Sequence, residues 1–229
     1  MEKIIRPTPW DKRTFLIDTY ELTAANDEAL AVADSLEGHF TVKVDPLMDT
    51  DALRRHGFYY TDSLIEPVCS RSDLRVFEQK GIMLSQDYNR AAILEIAEEV
   101  FVHGRFHRDS YIPNTLANER YMRWVEDLLD EKHIYALLYN GTLVGFYAFR
   151  EDQVLLLGIK KEFQGKGLAK PFTSQGCFEQ FKNDYKELKT SISAANVASL
   201  NLFYSLGFRL RKTVDVYHKL NGPAPKGTL

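Results

Sequence analysis

Leu155–Lys170 reads LLLGIKKEFQGKGLAK, and the rest of the chain is best understood outward from it. The apolar run Val154 to Ile159 has the length of a buried strand. A charged turn follows, then Gln164-Gly165-Lys166-Gly167-Leu168-Ala169. Beyond it Leu168, Phe172, Phe178, Phe181 and Tyr185 recur at three- or four-residue steps or multiples of them, which predicts an amphipathic helix. A strand feeding a glycine turn into a helix N-terminus is a recipe for holding phosphate. Glycine lets the backbone approach an anion with no Cβ in the way, and the amides of a first helical turn have no partner inside the helix.

With 229 residues, 45% of them apolar and 27% charged, the chain has the composition of a soluble globular protein with a real core. A net charge of -3, with no long basic cluster, argues against general nucleic-acid binding. No apolar run approaches the ~18–20 residues of a membrane span. The start, MEKIIRPTPWDKRTF, lacks a continuous hydrophobic segment and a small-residue cleavage site, so secretion is not expected. Cys69 and Cys177 are too few for a disulfide framework and lack metal-ligand spacing. A cytoplasmic setting and no metal are the expectations.

Before the central stretch the chain alternates strands and helices. Thr14–Leu22 reads as a strand, and Asn26–Leu36 as a helix capped by Asn26 or Asp27. Phe40–Val44 is a strand, Thr50–His56 a helix ended by Gly57, and Phe58–Ser70 a further strand. Residues 71–80 connect. Ile82–Ser85 reads as a strand, and Asp87 as the cap of a helix with Ile93, Ile96, Ala97, Val100 and Phe101 inward. Glu95, Glu98 and Glu99 occupy its other side. The loop Gly104–Asn114, with His103 before it, gathers Arg105, His107, Arg108, Asp109 and Tyr111. It is either a plain surface connection or a substrate-facing loop whose cations meet an anionic ligand. A helix with Tyr121, Trp124, Val125, Leu128 and Leu129 inward comes next. Then Asn140-Gly141 between two apolar strands marks a hairpin. After the long helix come a strand at Leu188–Ala195, a short helix closed by Gly207, and a last strand or hairpin at Arg209–Leu220.

Two motifs in this order carry a family resemblance. Gln164-Gly165-Lys166-Gly167-Leu168-Ala169 matches Gln/Arg-x-x-Gly-x-Gly/Ala, and Asn196 through Gly207-Phe208 matches a strand, Asn and short helix ending in Leu-Gly-Phe. Residues 133–218 thereby resemble the GCN5-related N-acetyltransferases (GNAT). Gly104-Arg105-Phe106, Tyr111, Pro113, Tyr121 and Trp124 look like the members acting on dTDP-4-amino-4,6-dideoxygalactose, the TDP-fucosamine type. The resemblance implies a mixed α/β fold (α+β), with a central mixed twisted sheet and helices on both faces. It also implies an N-terminal partial GNAT-like half. Leu53-Arg-Arg-His-Gly57-Phe58 parallels Phe203-Tyr-Ser-Leu-Gly207-Phe208 in that sense. The expected division is 1–80 for the degenerate half, 81–220 for the catalytic domain and 221–229 for a flexible tail.

The resemblance further implies acetyl-CoA as cosubstrate and direct attack by a primary amine in a ternary complex. A backbone amide of Leu157 or Ile159 would hold the acetyl carbonyl. Amides of Gln164, Gly165, Lys166, Gly167, Leu168 and Ala169 would hold the pyrophosphate, with Asn196 on the pantetheine arm or capping its helix. Where many relatives carry a tyrosine acid, this chain has Phe203, which counts with the cofactor residues. Tyr204, about 100° further round a helix, is the candidate acid. His103, His107 and Asp109 are candidate bases beside water. Arg105, His107 and Tyr111 would bind the acceptor, and lean toward an amino-deoxy sugar nucleotide. The competing readings are a peptide N-terminus or other small amine, and a silent acyl-CoA-binding regulator. A homodimer stays open.

Overall fold

A computed structural model describes residues 4–101 and 104–227. In chain order its elements begin β1 (Ile5–Pro7), α1 (Pro9–Phe15), β2 (Thr19–Leu22), α2 (Asp27–Ser35), β3 (Gly38–Val44), α3 (Asp51–Arg55) and β4 (Tyr59–Ser70). There follow β5 (Ile82–Ser85), α4 (Arg90–Val100), α5 (Asn114–Asp130), β6 (Ile134–Tyr139), β7 (Thr142–Arg150) and β8 (Gln153–Ile159). The last are α6 (Ala169–Phe181), β9 (Glu187–Lys189), β10 (Ile192–Ser193), α7 (Val197–Ser205) and β11 (Arg209–Asn221). Two compact units interleave along the sequence, one from residues 4–64, 104–120 and 213–227, the other from 65–101 and 121–212. No single cut at residue 80 separates them, because β4, α5 and β11 each begin in one unit and end in the other.

In the first unit β2 and β3 are parallel neighbours joined through α2, the connection that parallel strands require. Asn26 starts α2 by accepting the Ala29 amide at 2.9 Å. β3 also pairs antiparallel with the far part of β11, from Asp215↔Val44 to Asn221↔Gly38. Being paired on both edges, β3 buries six of its seven residues, and Phe40 and Val42 form a core with Leu30, Leu53 and Phe58. Two expectations change here. The stretch read as a strand from Thr14 starts as helix α1, whose Pro9 in the first turn was its signal. Asp109, read as a candidate base, is buried. His39 Nε2 and His218 Nδ1 reach its Oδ2 at 2.8 and 2.7 Å, while the Tyr59 hydroxyl and the Tyr111 amide donate to Oδ1 at 2.8 and 2.9 Å. With both oxygens taken up, this carboxylate ties the 104–113 loop to β3, β4 and β11.

In the second unit the sheet runs β4-β9-β8-β7-β6-β5. Asn140 and Gly141, with φ of 50° and 80°, make the tight turn between β6 and β7. One face of the sheet carries α6 and α7, around the buried Phe172, Phe181, Phe203 and Phe208. The other carries α4 and α5, where Ile93, Ile96, Val125 and Leu128 meet Phe146 and Ala148. Each fully buried Phe of this kind is worth about 1.5–3 kcal/mol. Cys69 and Cys177 are both buried in the first of these cores. Phe178, expected inward, is instead exposed, and Cys177 takes the inward place. Asn89 rather than Asp87 caps α4.

The two halves of the chain share an order of elements. β2-α2-β3-α3-β4 and β8-α6-β9-α7-β11 are each a parallel pair joined by a helix, followed by a short helix and a long strand, with the small strand β10 before α7. Gly57 and Gly207 end the two short helices at φ of 77° and 104°. The Phe58 amide then reaches the Leu53 carbonyl at 2.9 Å, and the Phe208 amide reaches the Phe203 carbonyl at 3.1 Å. These are the same six-to-one helix ending.

Candidate active site

Strand β8 is paired fully on one edge and barely on the other. Along β7 the Lys160 amide donates to the Val144 carbonyl at 2.9 Å, and Gly158 and Leu156 lie opposite Phe146 and Ala148. In an antiparallel ladder bonded pairs alternate with unbonded ones, so the polar groups of Ile159 and Leu157 turn to the other edge. There the parallel partner β9 meets β8 only at Gln153↔Lys189, and β10 pairs β4 instead. The free edge is partly used: the Gln164 side chain donates to the Ile159 carbonyl at 2.9 Å. The β7–β8 register also shifts between Ala148 and Phe149, which leaves Leu155 as the extra residue of a bulge. Gly158 is glycine for want of room. A Cβ there would come within 2.7 Å of the Phe146 ring.

Past the strand, Gly165 and Gly167 take φ of 72° and 78°, and a Cβ on either would meet nothing within 4 Å. They are glycine for conformation, not for want of room. Left-handed residues alternating with ordinary ones turn successive amides into one concavity, a shape that suits anions. Helix α6 starts at once, and its N-cap residue Leu168 offers no side-chain acceptor to the first-turn amides. Below the loop is a cavity of about 750 Å³, with Leu157, Ile159, Leu168 and Leu202 on its walls and Glu78, Gln79, Gln164, Lys170 and Ser199 as polar lining. An apolar trough ending in an uncapped helix start and a glycine loop fits a long thioester carrier with a pyrophosphate. Lys166 stands with its ammonium over the Phe163 ring at 5.0 Å and does not line the cavity.

The sequence-derived residues separate at this point. Leu157, Ile159, Gln164, Gly165, Gly167, Leu168 and Ala169 line one cavity. Asn196 does not, and its side chain caps α7 by accepting the Ser199 amide at 3.0 Å. Phe203, read as a cofactor contact, is 5% exposed and packs edge-on to Phe208 at 4.9 Å, inside the core. Tyr204, read as the acid, is 61% exposed with the Arg209 guanidinium over its ring at 4.9 Å. The register of α7 turns Ala198, Ser199 and Leu202 to the cavity, and a position two after Leu202 lies well off that face. Ser199 and Leu202 were missed, although three- and four-residue spacing could have found them.

Arg105, His107 and Tyr111 belong to the first unit, while every lining residue of the cavity belongs to the second. His107 Nε2 contacts Asn118 Oδ1 at 2.7 Å, the Arg105 guanidinium lies 4.9 Å from the Phe106 ring centre, and Tyr111 packs on Tyr59 at 5.4 Å. His103 lies outside the described residues.

A smaller cavity of about 380 Å³ adjoins the bulge of β8, lined there by Val154 and Leu155. Trp124 brings an aromatic wall, and Lys189, Arg211 and Lys212 bring cations against the carboxylates of Glu66 and Glu187. Arg211 holds Glu187 in a two-point pair at 2.5 and 2.6 Å, which keeps that carboxyl below its ordinary range, and Lys189 reaches Asp152 at 2.9 Å.

Residues 86–218, more than half of the chain, match the family described as the acetyltransferase (GNAT) domain. Spore coat polysaccharide biosynthesis protein SpsD of Bacillus subtilis (strain 168) is 23% identical over 141 residues, which are 59% of this chain and 49% of that protein. The chain thus spans about half the length of this curated relative. Among solved structures, a GCN5-related N-acetyltransferase from Sphaerobacter thermophilus matches with a TM-score of 0.66 at 12% identity, over 98% of this chain and 79% of that one. A tandem GNAT protein from the clavulanic acid biosynthesis pathway, solved without AcCoA, matches at 0.54 and 10%, over 90% and 76%. At such identities the two structures speak for the fold alone. The family match spans β8, the glycine loop and the helices α6 and α7 that wall the larger cavity, and on it this chain belongs to the GNAT acetyltransferases.

Proposed function

We propose that the chain moves an acetyl group from acetyl-CoA to the primary amine of an amino-deoxy sugar nucleotide, by direct attack with both substrates bound. One observation carries the reading. Consecutive stretches of the bulged strand line two cavities, Leu157 and Ile159 the larger one and Val154 and Leu155 the smaller. Acetyl-CoA supplies the activated acyl group. Its pyrophosphate fits the amides of Gln164 to Ala169 with Lys170 nearby, and its arm the apolar trough. The amides of Leu157 and Ile159, on the free edge of β8, would take the charge that develops on the carbonyl oxygen. A donor aimed in this way is typically worth about 3 kcal/mol. Ser199, in the first turn of α7, is the cavity hydroxyl available to the departing sulfur, where the helix dipole also favours negative charge.

Trp124 with Lys189, Arg211 and Lys212 gives the smaller cavity the aromatic and basic character that suits a nucleotide diphosphate sugar. The similarity to a protein of polysaccharide biosynthesis agrees with a sugar acceptor. A different cavity favours a second reading, a polycationic amine: Glu95, Glu98, Glu99 and Glu162 surround about 480 Å³, with Lys160 as the one cation lining it among the described residues. Incubation with acetyl-CoA, a panel of aminodeoxyhexose nucleotides and spermidine, following free thiol, tests both. Thiol release with a nucleotide supports the first reading. Release with spermidine alone replaces it, and release with neither while coenzyme A binds overturns it.

A further inference from the structure

The smaller cavity holds one carboxylate that the fold leaves unengaged. Glu66 lies on β4 two residues before the part that pairs β9, which begins where Val68 stands opposite Lys189. The Thr190 amide donates to the Pro67 carbonyl at 3.2 Å, so the chain beyond β9 still runs beside β4 at this level. Strand alternation puts Glu66 and Val68 on one face, and both line the cavity with Trp124 and the bulge residue Leu155. Glu66 is half-buried, and its carboxylate takes no hydrogen bond or ion pair among the described residues. The other carboxylate there, Glu187, is held by Arg211, and Lys189 by Asp152, so that Lys212 is the remaining charged group on the lining. An apolar and aromatic wall on one side and a free carboxylate on the other is an arrangement that fits a protonated amine.

We propose that Glu66 is the residue that binds the acceptor ammonium and takes its proton. This rests on the reading of the smaller cavity as the acceptor site. The ammonium gives one proton to the Glu66 carboxylate, and the freed lone pair attacks the thioester carbonyl carbon. A C–N bond forms, the C–S bond breaks, and the sulfur leaves with the electron pair. The second N–H proton passes through solvent to the sulfur, so the products are the amide and free thiol. Glu66 returns the first proton to water.

The test is Glu66→Gln, isosteric and neutral, with Glu66→Asp beside it. The acetyl-CoA affinity of both should match the parent, which serves as the folding control. With an aminodeoxyhexose nucleotide at pH 7, kcat/KM should fall about 10²-fold in Glu66→Gln, the scale of lost base catalysis, and recover in part in Glu66→Asp. The deficit should shrink about tenfold per pH unit toward the pKa of the amine, because solution then supplies the free base. A structural role would not produce that slope. Parent-like kcat/KM across pH 6–9 overturns the role of Glu66 and leaves the acceptor reading standing. If only a non-nucleotide amine is acetylated, the acceptor reading fails and the same profile on that amine decides Glu66. If no amine is acetylated, equal acetyl-CoA hydrolysis by parent and Glu66→Gln overturns the proposal, and a tenfold or larger loss supports it.

Discussion

Phe203 and Tyr204 are neighbours with opposite surroundings, one in the core against Phe208 and one in solvent under Arg209. Proton donation by Tyr204 would need a turn of α7 that removes Phe203 from the core. Tyr204→Phe is therefore expected to keep kcat within about twofold. A fall of about 10²-fold, the scale of a lost general acid, would return the role to Tyr204. The glycine loop was legible in the sequence because its signal is local: two glycines, a strand before and a helix after. Glu66 was not, since only the pairing of β4 with β9 brings so distant a segment to the same cavity.

Among the elements, the strand-loop-helix from β8 to α6 does the most with the fewest side chains. Its key conformations are the left-handed Gly165 and Gly167, which face open space. In Gly167→Glu a side chain enters that space with a charge opposed to phosphate, and the left-handed backbone costs about 1–2 kcal/mol. Coenzyme A affinity should drop at least tenfold, while thermal unfolding stays cooperative with a midpoint lower by about 2–4 °C per kcal/mol. Unchanged affinity by calorimetry would move the pyrophosphate elsewhere. Elements with a strong local signal were well read: the Asn140-Gly141 hairpin, the cap at Asn26, the stop at Gly57. Those set by long-range pairing were not. The strand read over Leu188–Ala195 divides into β9 and β10 because its two parts pair differently, whereas at Arg209–Leu220, read as a strand or a hairpin, the strand β11 forms.

For the whole molecule, the interleaving of the two units means that neither is a contiguous segment of chain, and no reading of local propensity could have drawn that division. The first unit carries its own acid sensitivity. Burial pushes the His218 imidazole down to about 3, while Asp109, despite its burial, is held below the usual carboxylate range by hydrogen bonds from His218 and His39. Both groups keep their basic forms in the fold. The unfolded chain takes up the His218 proton as pH falls through 6.5, so that stability is complete above 6.5 and is lost progressively toward 3. Asp109 adds a further loss once pH falls below the ordinary carboxylate value of 3.8. Urea midpoints should decline from pH 7 to pH 5. His218→Gln should start lower at pH 7 but decline less, and an equal decline would show that the imidazole does not set the slope.

The two thiols of the chain lie in places that reagents do not reach. Burial raises the Cys69 thiol to about 11 and the Cys177 thiol to about 12, and both lie in the core around α6. At neutral pH neither supplies a reactive thiolate. A colorimetric dye should thus stay silent toward the native protein, so signal in a transfer assay counts released coenzyme A, and a burst of two equivalents would mark denatured molecules.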